Sequence, residues 1–245
     1  MAPTETTKIE LPIVYRTVRA WTAAFPCATE GLRTLLPDSR LRPIEVFPGT
    51  SAIGVAVFEY LDTTIGPYRE VGLAVPCRYL GSTAIPLLPM LAERWLEDVG
   101  HWVATLPVTT EIANHAGRTI WGYPKYVGEI DIDATDREVR CTVSKGGTKV
   151  LSVEIQRPGR SRPMTFPMRT YSRLADEILL TELRVDAEGH VRRLGGKAHL
   201  TLHDHPQNEP LRSIGLRGDR AIEVRWFDEY RTVLDRARAR FRIGG

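Results

Sequence analysis

Lysine is the scarce residue of this chain: five lysines stand against 28 arginines. Cysteine is rarer still, with three residues. Cys27, Cys77 and Cys141 are odd in number and show no CxxC spacing, which excludes a disulfide framework and a zinc ribbon and suits a reducing compartment. No stretch approaches about 18 unbroken apolar residues, so no membrane-spanning helix is expected. The most apolar segment, Ala84 to Leu91, is broken by Pro86 and Pro89. There is no internal repeat, no low-complexity linker and no glycine-rich phosphate loop. Gly146-Gly147 and Gly195-Gly196 lack a GxGxxG context. The net charge of +3 is too small to imply a nucleic acid or an acidic membrane surface as partner. The first residues carry Glu5, Lys8 and Glu10 without an apolar core, unlike a signal peptide. The expected location is therefore the cytoplasm.

What is present is an ordinary globular composition. Of 245 residues, 42% are hydrophobic, enough to bury one sizeable core. We expect a single domain over 1–245. A short helix is predicted over residues 28–36, capped by Thr29 and ended by Pro37-Asp38. Strands are predicted over Ile44–Phe47, Ile53–Tyr60 and, after the Gly66-Pro67 turn, Tyr68–Tyr79. A helix is predicted over Leu91–Val99 with Gly100 as its stop, a strand over His101–Leu106, and a helix over Thr109–Ala116 with Gly117 just past its end. Val127–Asp133 reads as a strand, and Glu138–Val143 with Lys149–Ile155 as a hairpin about Gly146-Gly147. Arg157 to Pro163 reads as an exposed connection. Ile178–Val185 with His190–Leu194 reads as a second hairpin about Glu188-Gly189. Ala198–Leu202, Ala221–Phe227 and Arg236–Ile243 complete the series. Strands outnumber helices and turns are short, so the fold class is α+β and β-rich: antiparallel, curved or closed sheets with a few peripheral helices.

Two polar patterns receive structural readings. His199, His203, Asp204 and His205 cluster in sequence, but Leu202–Pro206 reads as a turn with no zincin spacing, so no metal site is expected. Arg236, Arg238, Arg240 and Arg242 alternate with Ala237, Ala239, Phe241 and Ile243, the period of a half-buried strand with one solvated face.

One lysine has unusual company. Lys125 follows Trp121-Gly122-Tyr123-Pro124 and precedes Tyr126. An ammonium is poorly solvated among such neighbours, which favours the uncharged amine, and an uncharged lysine amine condenses with ketones. Arginine is unable to replace it in that chemistry. The competing reading is a surface lysine in an arginine-rich chain.

Gly122-Tyr123-Pro124-Lys125 resembles the active-site lysine turn of the acetoacetate decarboxylase family. Tyr68 to Pro76 is similar to that family's strand bearing a catalytic glutamate, here Glu70, and Phe58-Glu59 resembles the segment bearing a second. Leu32 to Pro37 is similar to its short helix ending in proline. These matches run from about residue 15 to 130, with a looser likeness over Ala198–Leu216. The resemblance implies a cone-like β-barrel with the lysine in its apolar interior, a homo-oligomer, and neither metal nor organic cofactor. An activated lysine is an established feature of acetoacetate decarboxylase itself.

By this resemblance Lys125 is the imine-forming residue, Glu70 moves protons and Glu59 hydrogen-bonds nearby. A carboxylate-binding arginine falls near residues 16–19, where Arg19 is the candidate and Arg16 competes. Trp121, Tyr123 and Tyr126 are candidate substrate contacts. The position after the lysine is Tyr126, where family decarboxylases often carry a second lysine. The implied reaction is decarboxylation of a 3-oxo acid through a Schiff base. The alternatives are aldolase, dehydratase or cyclase chemistry on a 2-oxo acid through the same imine, and a non-catalytic barrel that binds a small ligand.

Overall fold

A computed structural model describes residues 9–79, 97–193 and 195–243. The chain begins with β1 (Ile13–Ala28), α1 (Thr29–Arg33), β2 (Leu41–Pro43), β3 (Glu45–Phe47), β4 (Thr50–Thr63), β5 (Tyr68–Tyr79) and β6 (Val99–Val108). Helix α2 (Glu111–Trp121) then leads into β7 (Lys125–Val127), β8 (Glu129–Ala134), β9 (Glu138–Lys145) and β10 (Thr148–Gln156). Next come β11 (Arg162–Leu174), β12 (Glu177–Arg193), β13 (Ala198–Leu202), a 3-10 turn (Pro206–Leu211), β14 (Glu223–Leu234) and β15 (Ala239–Arg242).

Seven strands close on themselves in the order β5-β4-β1-β14-β12-β11-β6, because β6 also pairs with β5. An odd ring is unable to alternate direction all the way round, so at least one pairing must be parallel. Here it is β11 with β6, through Thr170↔His101 and Tyr171↔Trp102. The barrel is therefore mixed rather than wholly antiparallel. β7 adds a second parallel pairing against β6. A separate antiparallel sheet, β13-β10-β9-β8, covers one side.

Side chains alternate across each strand, and two cores result. Val55, Val57, Val71 and Leu73 face outward into a core shared with Cys141, Val143 and Val153 of the covering sheet. Phe58, Tyr60, Tyr68, Leu106 and Tyr230 belong to a second core, which continues to Trp121 of α2. Among the described residues, no helix is long and apolar enough to cross a membrane.

Several elements differ from the sequence expectation. The region of the expected Leu91–Val99 helix lies largely outside the described residues, and Val99 and Gly100 open β6 instead. Thr29 does not cap α1. It is the first helical residue, and its hydroxyl bonds the Ser51 hydroxyl at 2.9 Å. β11 begins at Arg162, inside the segment read as a connection. The hairpin about Glu188-Gly189 is absent: β12 runs straight through, and its register against β14 shifts there by a bulge. A Cβ at Gly189 would lie 2.3 Å from the Trp226 carbonyl oxygen, so the glycine serves a close backbone approach, not a turn. The hairpin about Gly146-Gly147 forms as expected, with φ of 59° and 77°, a pair of positive values that a two-residue hairpin loop requires. Arg240 and Arg242 point to solvent from β15 as the alternating pattern predicts, while Phe241 packs against the first core.

All three cysteines are buried and unpaired. Burial pushes each thiol up to about 12. The thiolate is the reacting form, so native protein at pH 8 should take up essentially no iodoacetamide, and denatured protein should take up one equivalent per cysteine. An unfolded thiol ionises near 9.0, so folding stability from these groups is whole below that pH and is lost as pH rises through the folded value. Rapid labelling of native protein, or stability that climbs above pH 9, would contradict this burial.

Candidate active site

Helix α2 carries the chain to the lysine. It runs through Gly117 to Trp121, beyond the expected stop at Ala116, and ends at Gly122. Gly122 has φ of 64°, and a Cβ there would lie 2.1 Å from the Arg173 carbonyl oxygen, so conformation and space both demand glycine. The Tyr123 amide then bonds back to the Gly117 carbonyl at 3.0 Å, and Pro124 accepts from the Leu106 amide at 3.2 Å. This fixes Lys125 opposite Leu106 on β7 and turns its side chain into the barrel. The lysine stem lies flat on Gly117, where a Cβ would come within 2.4 Å of Cδ and 2.5 Å of Cε.

Lys125 is 8% exposed and Glu70 6%. The lysine Nζ donates to Glu70 Oε2 at 2.6 Å, and the Tyr60 hydroxyl donates to Oε1 at 3.2 Å. Nζ also lies 5.8 Å from the centre of the Tyr68 ring. The Tyr68 hydroxyl meets that of Tyr15 at 3.3 Å. Burial, then the charge of Glu70, hold the Tyr60 hydroxyl well above its ordinary value. Burial likewise raises Tyr123 to about 12, and its hydroxyl is 2.7 Å from that of Thr170. These phenols are proton donors throughout the neutral range.

The pair opens onto a cavity of about 210 Å³ inside the barrel, room for a small organic molecule rather than one water. Its space comes from small residues on the inward rows: Ala24, Gly54, Ala56, Gly72 and Ala74. Phe58, Leu106, Phe166, Met168 and Leu183 supply apolar wall. An amine and a carboxylate held this way form a proton-transfer pair beside an apolar chamber.

Five of the residues singled out in the sequence lie elsewhere. Register explains Glu59: it pairs with Arg69, while its neighbour Phe58 pairs with Glu70. Glu59 therefore points to the opposite face of the sheet, where it bonds Arg19 and, at 3.3 Å, Arg69. Arg19 stands with it over Trp21 and does not line the cavity. Arg16 pairs with Asp62 at the surface, 3.1 Å away. Trp121 is 1% exposed, bonds the Asp235 carbonyl at 2.8 Å and packs beneath the helix rather than against a ligand. Tyr126 follows Lys125 on a strand and so faces the other way. The Lys145 ammonium covers its ring at 4.7 Å, and burial raises its hydroxyl to about 12. Tyr123 alone of the three aromatic candidates lines the cavity with Lys125 and Glu70.

Other cavity residues were not legible as site residues: Tyr15, Tyr60, Tyr230, His101, Thr170 and Arg225. The signal that finds Tyr60 is parity, since it lies two residues from Phe58 and shares its inward face. Arg225 has no such signal, because its neighbours Val224 and Trp226 belong to the other core. Among the described residues no group of three or more His, Cys, Asp or Glu side chains is placed to hold a metal. His203 instead bonds the Ser152 hydroxyl at 2.9 Å, and His205 accepts the Gln207 amide at 3.1 Å.

Solved structures share this architecture. An acetoacetate decarboxylase from Legionella pneumophila subsp. pneumophila str. Philadelphia 1 matches with a TM-score of 0.68 at 17% identity, over 98% of this chain and 92% of that one. The enduracididine biosynthesis enzyme MppR, complexed with pyruvate, matches with a TM-score of 0.64 at 14% identity, over 94% and 90%. An acetoacetate decarboxylase-like enzyme from Sphingomonas wittichii RW1 matches with a TM-score of 0.58 at 16% identity, over 99% and 100%. At these identities the likeness is one of fold. No curated protein sequence matches the chain. The sequence model described as acetoacetate decarboxylase (ADC) matches residues 1–239, nearly the whole chain and both elements of the buried pair. This chain belongs to the acetoacetate decarboxylase family.

Proposed function

We propose that the protein is a carbon–carbon lyase that forms a Schiff base between Lys125 and a small oxo acid, with decarboxylation of a 3-oxo acid as its reaction. One observation carries this: the Lys125 amine is enclosed, 2.6 Å from Glu70, on the wall of an apolar cavity. The lysine ammonium passes a proton to Glu70, and the lone pair freed on nitrogen then attacks the ketone carbon. The carbonyl oxygen takes that proton back and leaves, after a second proton transfer, as water. The resulting iminium withdraws electrons. The bond to the carboxylate breaks, its pair moves toward nitrogen to give an enamine, and carbon dioxide departs. A proton on the enamine carbon, followed by hydrolysis, frees the ketone and the amine. Tyr60 holds the second oxygen of Glu70 throughout, keeping the carboxylate turned to the lysine. Loss of a charged carboxylate as neutral carbon dioxide is favoured against an apolar wall, which supplies no compensating charge.

A second reading uses the same enamine to add to an aldehyde, with dehydration. Tyr123 favours it: its hydroxyl lines the cavity, is held by Thr170 and keeps its proton at neutral pH. MppR, whose structure holds pyruvate, supports a 2-oxo acid for that reading. A barrel that only binds a ligand is the remaining alternative.

Borohydride trapping separates these. With acetoacetate or pyruvate, reduction should fix one adduct on the protein, mapped to Lys125, and Lys125→Ala should abolish both adduct and turnover. Carbon dioxide release marks the first reading, and condensation without it the second. Turnover at the native rate by Lys125→Ala would end both.

Gly117→Ala gives an independent test. A Cβ there collides with the lysine stem, which is flexible, so the fold should persist while the amine is displaced. A shift of about 1 Å costs on the order of a hundredfold in rate. The variant should therefore unfold within about 1 kcal/mol of the native protein and trap oxo acids at least tenfold more slowly. Native trapping rates would contradict the placement of Lys125 against Gly117.

A further inference from the structure

We infer that Arg225 holds a carboxylate that the substrate keeps through the reaction, at the side of the cavity away from the lysine. The inference rests on the lysine-imine reading above and deepens it. Neither arginine near the start of the chain reaches the cavity. Among the described residues, Arg225 is the guanidinium that does.

Register places it. Glu70 lies in a row of paired residues, Glu70–Phe58–Ala20–Phe227, that crosses β5, β4, β1 and β14. The row Gly72–Ala56–Thr22–Arg225 crosses the same strands one inward step away. That step is two residues, about 7 Å along the strand. On the two strands between these positions stand Phe58 and Ala56 of β4 and Ala20 and Thr22 of β1, of which Phe58 alone is large. Lys125, Glu70 and Arg225 all line the same cavity. Arg225 is also held in place. Its Nε donates to Glu223 Oε1 at 2.6 Å, Glu223 accepts from Arg193 at 3.2 Å, and the Arg225 guanidinium carbon lies 5.9 Å from the Phe166 ring centre. The side chain is 24% exposed, less open than most arginines of the chain's surface ion pairs.

Chemistry decides which carboxylate this is. A guanidinium stabilises a carboxylate as an anion through charge-assisted hydrogen bonds. A carboxylate so held is a poor candidate to leave as neutral carbon dioxide. The group at Arg225 is therefore one that remains in the product. The substrate class is an oxo acid with an anionic end separated from the reacting carbonyl by a short aliphatic link. If the reaction is a decarboxylation, that substrate carries a second carboxylate for release.

The test compares borohydride trapping of 4-oxopentanoate with that of 2-pentanone, a neutral ketone of the same chain length, in the full-length protein and in Arg225→Met and Arg225→Lys. In Arg225→Met the half-saturating 4-oxopentanoate concentration should rise about ten- to a hundredfold, with partial recovery in Arg225→Lys and no change for 2-pentanone. The neutral ketone reports whether fold and lysine survive the substitution. Unchanged half-saturation for 4-oxopentanoate, or an equal loss for both ketones, would overturn the role of Arg225 and leave the lysine reading standing. No adduct on native Lys125 with either ketone would overturn both.

Discussion

The contact between Lys125 and Glu70 is the constraint on which the site depends. Two ionisable groups lie inside a barrel wall, and burial of either alone is costly. Each is kept there by the other and by one further partner. Tyr60 takes the second oxygen of Glu70, and the Tyr68 ring faces the lysine Nζ. The surrounding fold is arranged to hold them. Gly122 turns the chain tightly enough to seat β7 beside β6, and Gly117 leaves a groove for the lysine stem. The odd ring of strands supplies the parallel β11–β6 closure next to this turn. The small inward residues of β1, β4 and β5 then leave a chamber in front of the pair.

Much of this was legible in the sequence because it is local. Turn chemistry marks β5 and the β9–β10 hairpin, and the glycine- and proline-flanked lysine marks the turn that brings Lys125 to Glu70. Non-local pairing was not legible. Glu59 and Glu70 look alike as acidic residues on adjacent strands, yet the register sends one outward and the other in. A one-residue difference in pairing decides the face of every side chain. Gly189 departs from its sequence expectation because glycine marks both turns and bulges, and only the neighbouring strand β14 distinguishes them. β11 is not evident in the sequence because Pro163 and Pro167 interrupt it. Both prolines fall before the residues that pair with β6, where the strand has a partner on one side.

The outward face repeats the logic of the inward one. Glu59 is buried and held between Arg19 and Arg69, and Arg69 also donates to the Ile130 carbonyl at 3.1 Å. This cluster ties the barrel to the covering sheet directly behind Glu70. The sequence likeness that suggested a substrate arginine near residue 19 thus falls on a structural ion pair. The cavity meets its guanidinium from the C-terminal part of the chain instead.

A double-mutant cycle on folding stability tests the buried pair most directly, using Lys125→Met, Glu70→Gln and the two together. If the groups are enclosed and matched, each single variant should lose about 3–5 kcal/mol by stranding its partner, and the double variant should lose far less than the sum of the two. Small and additive losses would mean that water reaches both groups, and the account of an enclosed, mutually held amine and carboxylate would be contradicted.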